Sequence, residues 1–161
     1  MKLLIGLGNP DKKYANNRHN VGYFLVNKMW QKGESSLVSK QSNVFMNDSG
    51  TAVKQLVDKY SLDLNNLYIA HDDLDIKLGE YKIQFGKGPK DHNGIKDIED
   101  KLGTSDFWRI RIGVDNRDPS DRIPGEAYVL QDFTEEERVI INRLIDEICK
   151  KLATVSKKID K

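Results

Sequence analysis

The chain has 161 residues, of which 38% are hydrophobic and 32% are charged, with a formal net charge of +1. This length predicts one domain spanning 1–161, and the single cysteine, Cys149, excludes an internal disulfide. The N-terminal apolar run is too short for a signal peptide or a membrane anchor, and three histidines with one cysteine leave little for a structural zinc site. We therefore expect a cytoplasmic, single-domain protein without a metal.

The charge is distributed unevenly along the chain. Residues 1–40 carry seven Lys and Arg against two acidic residues, and 150–161 carry five against one, whereas 41–149 carry 14 against 22. Basic ends on an acidic body are compatible with a local phosphate-binding surface. Lysines are also common at solvated chain ends, and the charge pattern alone favours this second interpretation.

The predicted secondary structure begins with a buried strand and a helix. An apolar run ends at glycines, and Pro10 disfavours a helix at the residue before it, so a turn follows this strand. Further along, apolar residues recur at intervals of three and four, which is the spacing of an amphipathic helix. In chain order the expected elements are a strand over 2–8, a helix from Asn20 through Met29, at most a weak strand near Leu37 and Val38, a helix over 52–60 and a buried strand over 67–70.

The second half is predicted to continue the alternation of strands and helices. The strand over 107–114 places Arg109 and Arg111 on the face opposite its apolar residues, and Thr134 with Glu137 has the spacing of a capping box. The expected elements are a strand over 80–85, a loop over 86–94, a short helix over 95–102, the strand over 107–114 and a C-terminal helix from Thr134 through Leu152. The fold class is therefore α/β, with a mixed, mostly parallel sheet sandwiched by helices.

Two polar clusters follow predicted strands, at the end of the sheet where the sites of open α/β proteins gather. The first spans 9–20 and the second begins at His71. His19 lies at the start of a helix, and an imidazole can take a proton from water at neutral pH if a carboxylate orients it. Asp72 or Asp73 could supply that carboxylate. For a lone histidine, a capping or surface role is the commoner alternative.

Other motifs are weaker. The GLG motif at 6–8 is a fragment of the dinucleotide fingerprint, but an Asn-Pro pair follows where its glycine turn should continue, and the chain holds no G-x-S-x-G elbow of a serine hydrolase. The acidic cluster 71–75 offers oxygen ligands for a divalent cation, although successive residues point in different directions. Asn47 and Asn93, taken singly, are interpreted as helix N-caps.

Taken together, these segments resemble the bacterial peptidyl-tRNA hydrolases. The matching motifs follow the family's order over most of the chain, and such an ordered set is far more specific than any one of its members. They are GLGNP at 6–10 with Tyr14, RHNVG at 18–22, FMNDSG at 45–50, HDDLD at 71–75, HNG at 92–94, LGT at 102–104, FWRIRIG at 107–113 and YVL at 128–130.

The resemblance implies hydrolysis of the ester that joins a peptide to the 3′ ribose of tRNA, with peptidyl-tRNA as the partner and no cofactor. By position, His19 is the general base that activates water, and Asp72 is the carboxylate that holds it. Amide side chains suit such a site because they donate hydrogen bonds to carbonyl oxygens without adding charge. The further implied residues are Asn9 and Asn93, which orient water and substrate, Asn47, which binds the peptide or the developing oxyanion, Tyr14 and His92, which line the cleft, and Arg111 with Lys82, which meet tRNA phosphate.

Three departures from the family pattern limit what the resemblance carries over. The segment 31–44 is short, so we expect an edge strand or hairpin to be missing from the sheet. The loop 86–91 has fewer glycines than is usual, and Gln84 stands where the family uses a lysine.

We expect a monomer without membrane association. One alternative is a non-catalytic RNA-binding protein that keeps the fold, although the five expected catalytic or substrate-binding positions keep the family's residue types; another is a metal-dependent hydrolase built on 71–75.

Overall fold

A five-stranded sheet organises the part of the chain that the structure describes. The structure, a computed structural model, covers residues 1–34 and 36–159, with side chains as far as Thr154. The strands are β1 (Leu3–Gly6), β2 (Val38–Gln41), β3 (Leu67–Lys77), β4 (Tyr81–Phe85) and β5 (Trp108–Asp115). They lie in the order β2-β1-β3-β5-β4, and only the pairing of β4 with β5 is antiparallel.

Helices connect these strands. The α-helices are α1 (Val21–Gln31), α2 (Ser49–Lys59), α3 (Asn93–Leu102), α4 (Gly125–Tyr128) and α5 (Glu135–Ile159). Short 3-10 turns lie at Lys12–Tyr14, Arg18–Asn20, Met46–Asp48 and Leu64–Asn66. Within the ranges given above, no helix has the length and apolar character that crossing a bilayer requires.

The alternation of side chains along the strands divides the core into two layers. On one face of the sheet, residues such as Leu4 and Ile110 pack against α1 and α5. On the other face, residues such as Ile5 and Ile69 pack against α2 and α3. The predicted α/β sandwich around a mixed, mostly parallel sheet is confirmed.

The start of α5 has the capping box that the sequence predicts. The backbone N–H of Glu137 donates to Oγ1 of Thr134 at 3.1 Å, and the backbone N–H of Thr134 donates to Oε1 of Glu137 at 2.9 Å. These bonds satisfy donors that the first helical turn would leave unpaired. Cys149 is buried in the apolar stripe of the same helix, as expected of a small hydrophobic residue.

The structure corrects the predicted extent of two strands, β3 and β2, and shows that the arginine face of β5 is covered. The strand predicted over 67–70 continues to Lys77, because β5 pairs with its polar second half, where Asp72 lies opposite Ile112. The arginine face of β5 is not a solvated face. Arg109 is only 1% exposed, because α3 and the loop after β4 cover it and supply acceptors for its guanidinium. The segment near Leu37 forms the edge strand β2, which is longer than the weak strand expected there.

Candidate active site

His19 and Asp72 contact each other at the edge of the sheet where β1 ends. Asp72 lies in the part of β3 beyond Ala70, the last residue of β3 that pairs with β1. His19 lies in the 3-10 turn directly before α1. Its Nδ1 atom lies 2.8 Å from Oδ2 and 2.9 Å from Oδ1 of Asp72. Because Nδ1 faces the carboxylate, Nε2 is the ring nitrogen that remains to accept a proton.

His92 contacts the same carboxylate from a second direction. Its Nε2 atom lies 2.9 Å from Oδ1 of Asp72, and its Nδ1 atom accepts the backbone N–H of Ile95 at 3.2 Å. Because Nδ1 is an acceptor, the ring carries its proton on Nε2 and donates it to Asp72. Asp72 is therefore a carboxylate that two imidazoles hold in place.

Burial and charge shift the pKa values of three groups here. Burial lowers the pKa of His19, but the negative charge of Asp72 and the hydrogen bond to it outweigh burial, so this pKa is raised above 6.5. Burial raises the pKa of Asp72, and its interactions with His19 and His92 more than reverse that effect, so this pKa lies well below its usual range. Burial is also the main cause that lowers the pKa of His71 to about 3. At neutral pH, Asp72 is therefore ionised and His71 is neutral.

Asn9 is held in one orientation by its neighbours. Its Oδ1 accepts the backbone N–H of Met46 at 2.8 Å. Its own backbone N–H donates to Oδ1 of Asn20 at 2.8 Å, and its backbone carbonyl accepts from Nδ2 of Asn20 at 2.9 Å. Because Met46 occupies Oδ1, the Nδ2 group is the donor that Asn9 can offer to the cleft.

These side chains line an open cleft of about 780 Å³. Asn47 and Asn93 lie on its walls and are exposed. Their interpretation as N-caps is wrong: the side chain of His92 caps α3, and Phe45 precedes the turn that contains Asn47. The cleft thus brings together the histidine pair, the aspartate and three asparagines, which are the predicted residues His19, His92, Asp72, Asn9, Asn47 and Asn93.

Three other predicted residues do not line this cleft. Tyr14 ends the 3-10 turn after β1 and is half-buried. Arg111 and exposed Lys82 lie opposite each other across β5 and β4. The guanidinium of Arg111 donates from Nε to Asp73 and from Nη1 to Gln84, each at 2.7 Å. Two of its three nitrogens are therefore engaged within the protein, which leaves Nη2 for an external group.

Potential metal ligands occur within the same cluster. Among the residues that the structure describes, one atom each of His19, Asp72 and His92 lie within 4.8 Å of one another. Nδ1 of His19 and Nε2 of His92 both contact the carboxylate, at 2.8 and 2.9 Å. A cation bound through these two nitrogens would have to replace both hydrogen bonds, so the arrangement favours proton transfer over metal binding.

The segment after β5 forms one wall of the cleft, which the sequence analysis missed. Gly125, Glu126, Val129 and Leu130 line this wall. It is joined to the 3-10 turn that contains His19, because the backbone N–H of His19 donates to the carbonyl of Val129 at 2.8 Å. The buried side chain of Arg18 strengthens the junction by stacking over the ring of Tyr128, 3.8 Å from its centroid. No local periodicity marks a four-residue helix such as α4, and the aromatic partner of Arg18 lies 110 residues away.

Comparisons with known proteins give consistent matches. A sequence model of the family described as peptidyl-tRNA hydrolase matches residues 3–44 and 31–161. The two matched stretches overlap in 31–44, the segment that is short relative to the family pattern. The peptidyl-tRNA hydrolase of Neisseria meningitidis serogroup C is 33% identical over 175 residues, which cover 96% of this chain and 88% of that protein. That of Coxiella burnetii is 35% identical over 163 residues, which cover 91% and 86%.

A solved structure also matches nearly the whole chain. It is the crystal structure of the peptidyl-tRNA hydrolase from Acinetobacter baumannii, which superposes with a TM-score of 0.83 at 27% sequence identity. The superposition covers 98% of this chain and 89% of that one.

Proposed function

The chain belongs to the peptidyl-tRNA hydrolase family, and we propose that it hydrolyses the ester between a peptide and the 3′ ribose of tRNA, which frees the tRNA for translation. The observation that carries this proposal is the contact of 2.8 Å between His19 and Asp72 in a cleft lined by three asparagines. A histidine that one carboxylate orients, and that has a free ring nitrogen, can activate water.

In the proposed reaction, Nε2 of His19 takes a proton from water while the water oxygen attacks the ester carbonyl. The carbonyl electron pair moves to the oxygen, which gives a tetrahedral oxyanion. When this intermediate collapses, the bond to the ribose oxygen breaks, and that oxygen takes the proton from His19. Asp72 stabilises the transient imidazolium and keeps Nδ1 protonated, so that Nε2 is the basic nitrogen at the start of each cycle.

The three asparagines are proposed to orient the reactants. Asn9 offers its Nδ2 group to the water or to the substrate carbonyl, since its Oδ1 is already engaged. Asn93, at the first position of α3, orients the water and the substrate, and Asn47 binds the peptide or the developing oxyanion. Neutral donors are suited to this task because they stabilise an oxyanion without lowering the pKa of His19.

Further residues are proposed to bind the substrate away from the reacting atoms. His92 holds Asp72 and forms part of the cleft wall, and Tyr14, at the end of the 3-10 turn after β1, contacts the substrate beyond the residues that line the cleft. Arg111 and Lys82 are proposed to contact a tRNA phosphate, because Nη2 of Arg111 and the exposed ammonium of Lys82 lie on one face of the sheet. We also propose a cytoplasmic monomer with one domain over 1–161.

The proposal is tested by following the release of free tRNA from an N-acylated aminoacyl-tRNA with the purified full-length protein. We expect many turnovers per protein molecule, without added metal and without sensitivity to EDTA. Binding of tRNA without any release would contradict the proposal and favour the non-catalytic RNA-binding alternative. Loss of activity in EDTA that a divalent cation restores would instead indicate the metal-dependent alternative.

A further inference from the structure

Arg109 is a buried arginine that the proposed chemistry does not use. Its side chain is 2% exposed and lies between β5, the C-terminal part of α3 and the loop 86–91. Nη2 donates to the backbone carbonyl of Ser105 at 2.8 Å, and Nη1 donates both to Glu99 and to the backbone carbonyl of Gly88. The guanidinium thus joins three separate segments of the chain, and one of them is the loop.

Gly88 lies directly on the neighbouring arginine of the same strand. A Cβ atom at this position would overlap the guanidinium carbon of Arg111, and the φ angle of Gly88 is +68°. The loop therefore approaches Arg111 so closely that a side chain at position 88 would displace either the loop or that guanidinium. Gly86 in the same loop has a similar φ of +72°, but the nearest atom to its Cβ would be 3.6 Å away.

The residues that follow Gly88 form part of the candidate active site. Pro89 and Asp91 line the cleft, and the backbone N–H of Lys90 donates to Asp75 at 3.3 Å. Next in the chain is His92, which contacts Asp72. Only three residues lie between Gly88, which Arg109 binds, and His92, which holds the proposed catalytic carboxylate.

We propose that Arg109 is a positioning residue: it fixes the loop 86–91 to the sheet and thereby places the cleft wall formed by Pro89 and Asp91 against the substrate. This inference rests on the proposed function and assigns to Arg109 a role other than phosphate binding, because the described residues leave it neither exposure nor an uncommitted terminal nitrogen. Lysine cannot replace it, since one ammonium cannot reach three acceptors arranged around a planar fork.

The tests use two variants that disturb this contact in different ways. Gly88→Ala pushes the loop away from the arginines and leaves Arg109 intact. Arg109→Lys keeps the charge but loses the fork. Gly86→Ala is the matched control, because it has the same unfavourable positive φ without an arginine beneath it. KM is measured with a minimal N-acyl ester substrate that lacks the tRNA stem, so that the phosphate contact proposed for Arg111 plays no part. We expect both test variants to raise this KM about tenfold, the effect of one lost hydrogen bond to a charged group, with kcat changed less than KM. The control should keep KM within about twofold.

Limited proteolysis gives a readout that does not depend on catalysis. Trypsin cleaves after lysine, and the loop contains Lys87 and Lys90. We expect cleavage after these two residues to accelerate at least fivefold in Gly88→Ala and in Arg109→Lys, and to stay close to the wild-type rate in Gly86→Ala, while cleavage elsewhere is unchanged. If Arg109→Lys does not fold, Gly88→Ala still tests the proposal.

Two results would overturn the inference. Equal KM values and equal cleavage rates for Gly86→Ala and Gly88→Ala would mean that the contact with the arginines does not position the loop. Weaker tRNA binding in Arg109→Lys, with unchanged loop cleavage and an unchanged KM for the substrate without the tRNA stem, would make Arg109 a phosphate contact instead. If the wild-type protein released no tRNA, the proposed function would fail, whereas the cleavage rates would still report on the loop.

Discussion

Replacing Asp72 with asparagine removes the charge at the centre of the site and keeps the size of the side chain. In the wild-type protein, Nδ1 of His19 and Nε2 of His92 both lie 2.8–2.9 Å from this carboxylate. An asparagine has one acceptor oxygen and one donor group, so it can accept from only one of the two imidazoles in their present tautomers. The variant therefore loses the negative charge and one hydrogen bond.

The expected loss of kcat for Asp72→Asn is about 10- to 100-fold. A hydrogen bond to a charged group contributes about 1.5–3 kcal/mol, and each 1.36 kcal/mol corresponds to a factor of ten in rate. The pH profile should also change. Burial lowers the pKa of His19 and the charge of Asp72 raises it, so removing the charge lowers that pKa. Because the base acts when it is neutral, the rising limb of the kcat/KM profile should move to lower pH.

The assay is the pH dependence of kcat/KM for the wild type, Asp72→Asn and Asp73→Asn, with a minimal N-acyl ester substrate that lacks the tRNA stem. Asp73 is the matched control, since its carboxylate pairs with Arg111 at 2.7 Å and accepts the backbone N–H of Asp75 at 2.8 Å. The rising limb should keep its position in this control. An unmoved limb in Asp72→Asn, or the same shift in both variants, would refute the reasoning.

The further predictions concern substitutions of four residues. His19→Ala should lower kcat by about 10²–10⁴-fold and leave the melting temperature and tRNA affinity close to wild type, as measured by single-turnover kinetics and filter binding; a rate like that of the wild type would disprove the general-base role. Arg111→Ala should raise KM for the full tRNA substrate and barely change KM for the minimal substrate; equal effects on both substrates would make Arg111 structural. Gln84→Lys should steepen the salt dependence of tRNA binding by about one phosphate contact. The pKa of His71 is lowered from 6.5 to about 3 in the native protein. As the pH falls from 6.5 to 3, the unfolded chain therefore binds a proton at this residue and the native protein does not. The free energy of unfolding should decrease by roughly 5 kcal/mol over this window. In the wild type, Nδ1 of His71 lies 2.8 Å from the backbone carbonyl of Asp72. His71→Asn keeps a donor near that position and cannot titrate, so its urea unfolding should show a smaller loss of stability over the same pH window. Parallel stability curves for the two proteins would contradict this.

Helices and strands whose apolar residues recur at a regular spacing could be predicted from the sequence. The helix from Asn20 and the strand over 107–114 bury their apolar residues at helical and alternating spacing, and the structure has α1 and β5 at these places. The pairing of His19 with an aspartate after the third strand was also predictable, because both clusters end up at one edge of the sheet. The residue pattern alone left the choice between Asp72 and Asp73 open, because it depends on strand alternation, and only the family resemblance indicated Asp72. In the structure Asp72 contacts His19, whereas Asp73 contacts Arg111.

Features that depend on distant partners could not be predicted from local patterns. The polar half of β3 resembles a loop in the sequence and becomes a strand because β5 supplies hydrogen-bonding partners. Arg109 alternates like an exposed arginine, and its burial follows from backbone carbonyls contributed by two loops. The same holds for Arg18, whose partners lie more than 100 residues further along the chain. In each case, tertiary contacts override what the residue type suggests.

The position of the short segment 31–44 shows which parts of this architecture tolerate changes in length. Its strand β2 lies at the outer margin of the described sheet beside β1, so β1 separates it from β3, which carries Asp72. Residues lost or gained before β2 therefore leave the contact between His19 and Asp72 unchanged. The opposite holds on the other side of the site, where the loop 86–91 joins β4 to His92 and has contacts at both of its ends. In an enzyme with this fold, deletions near β2 can therefore accumulate in evolution while the reacting groups stay in place. A deletion in the loop 86–91 would change both the fold and the reaction.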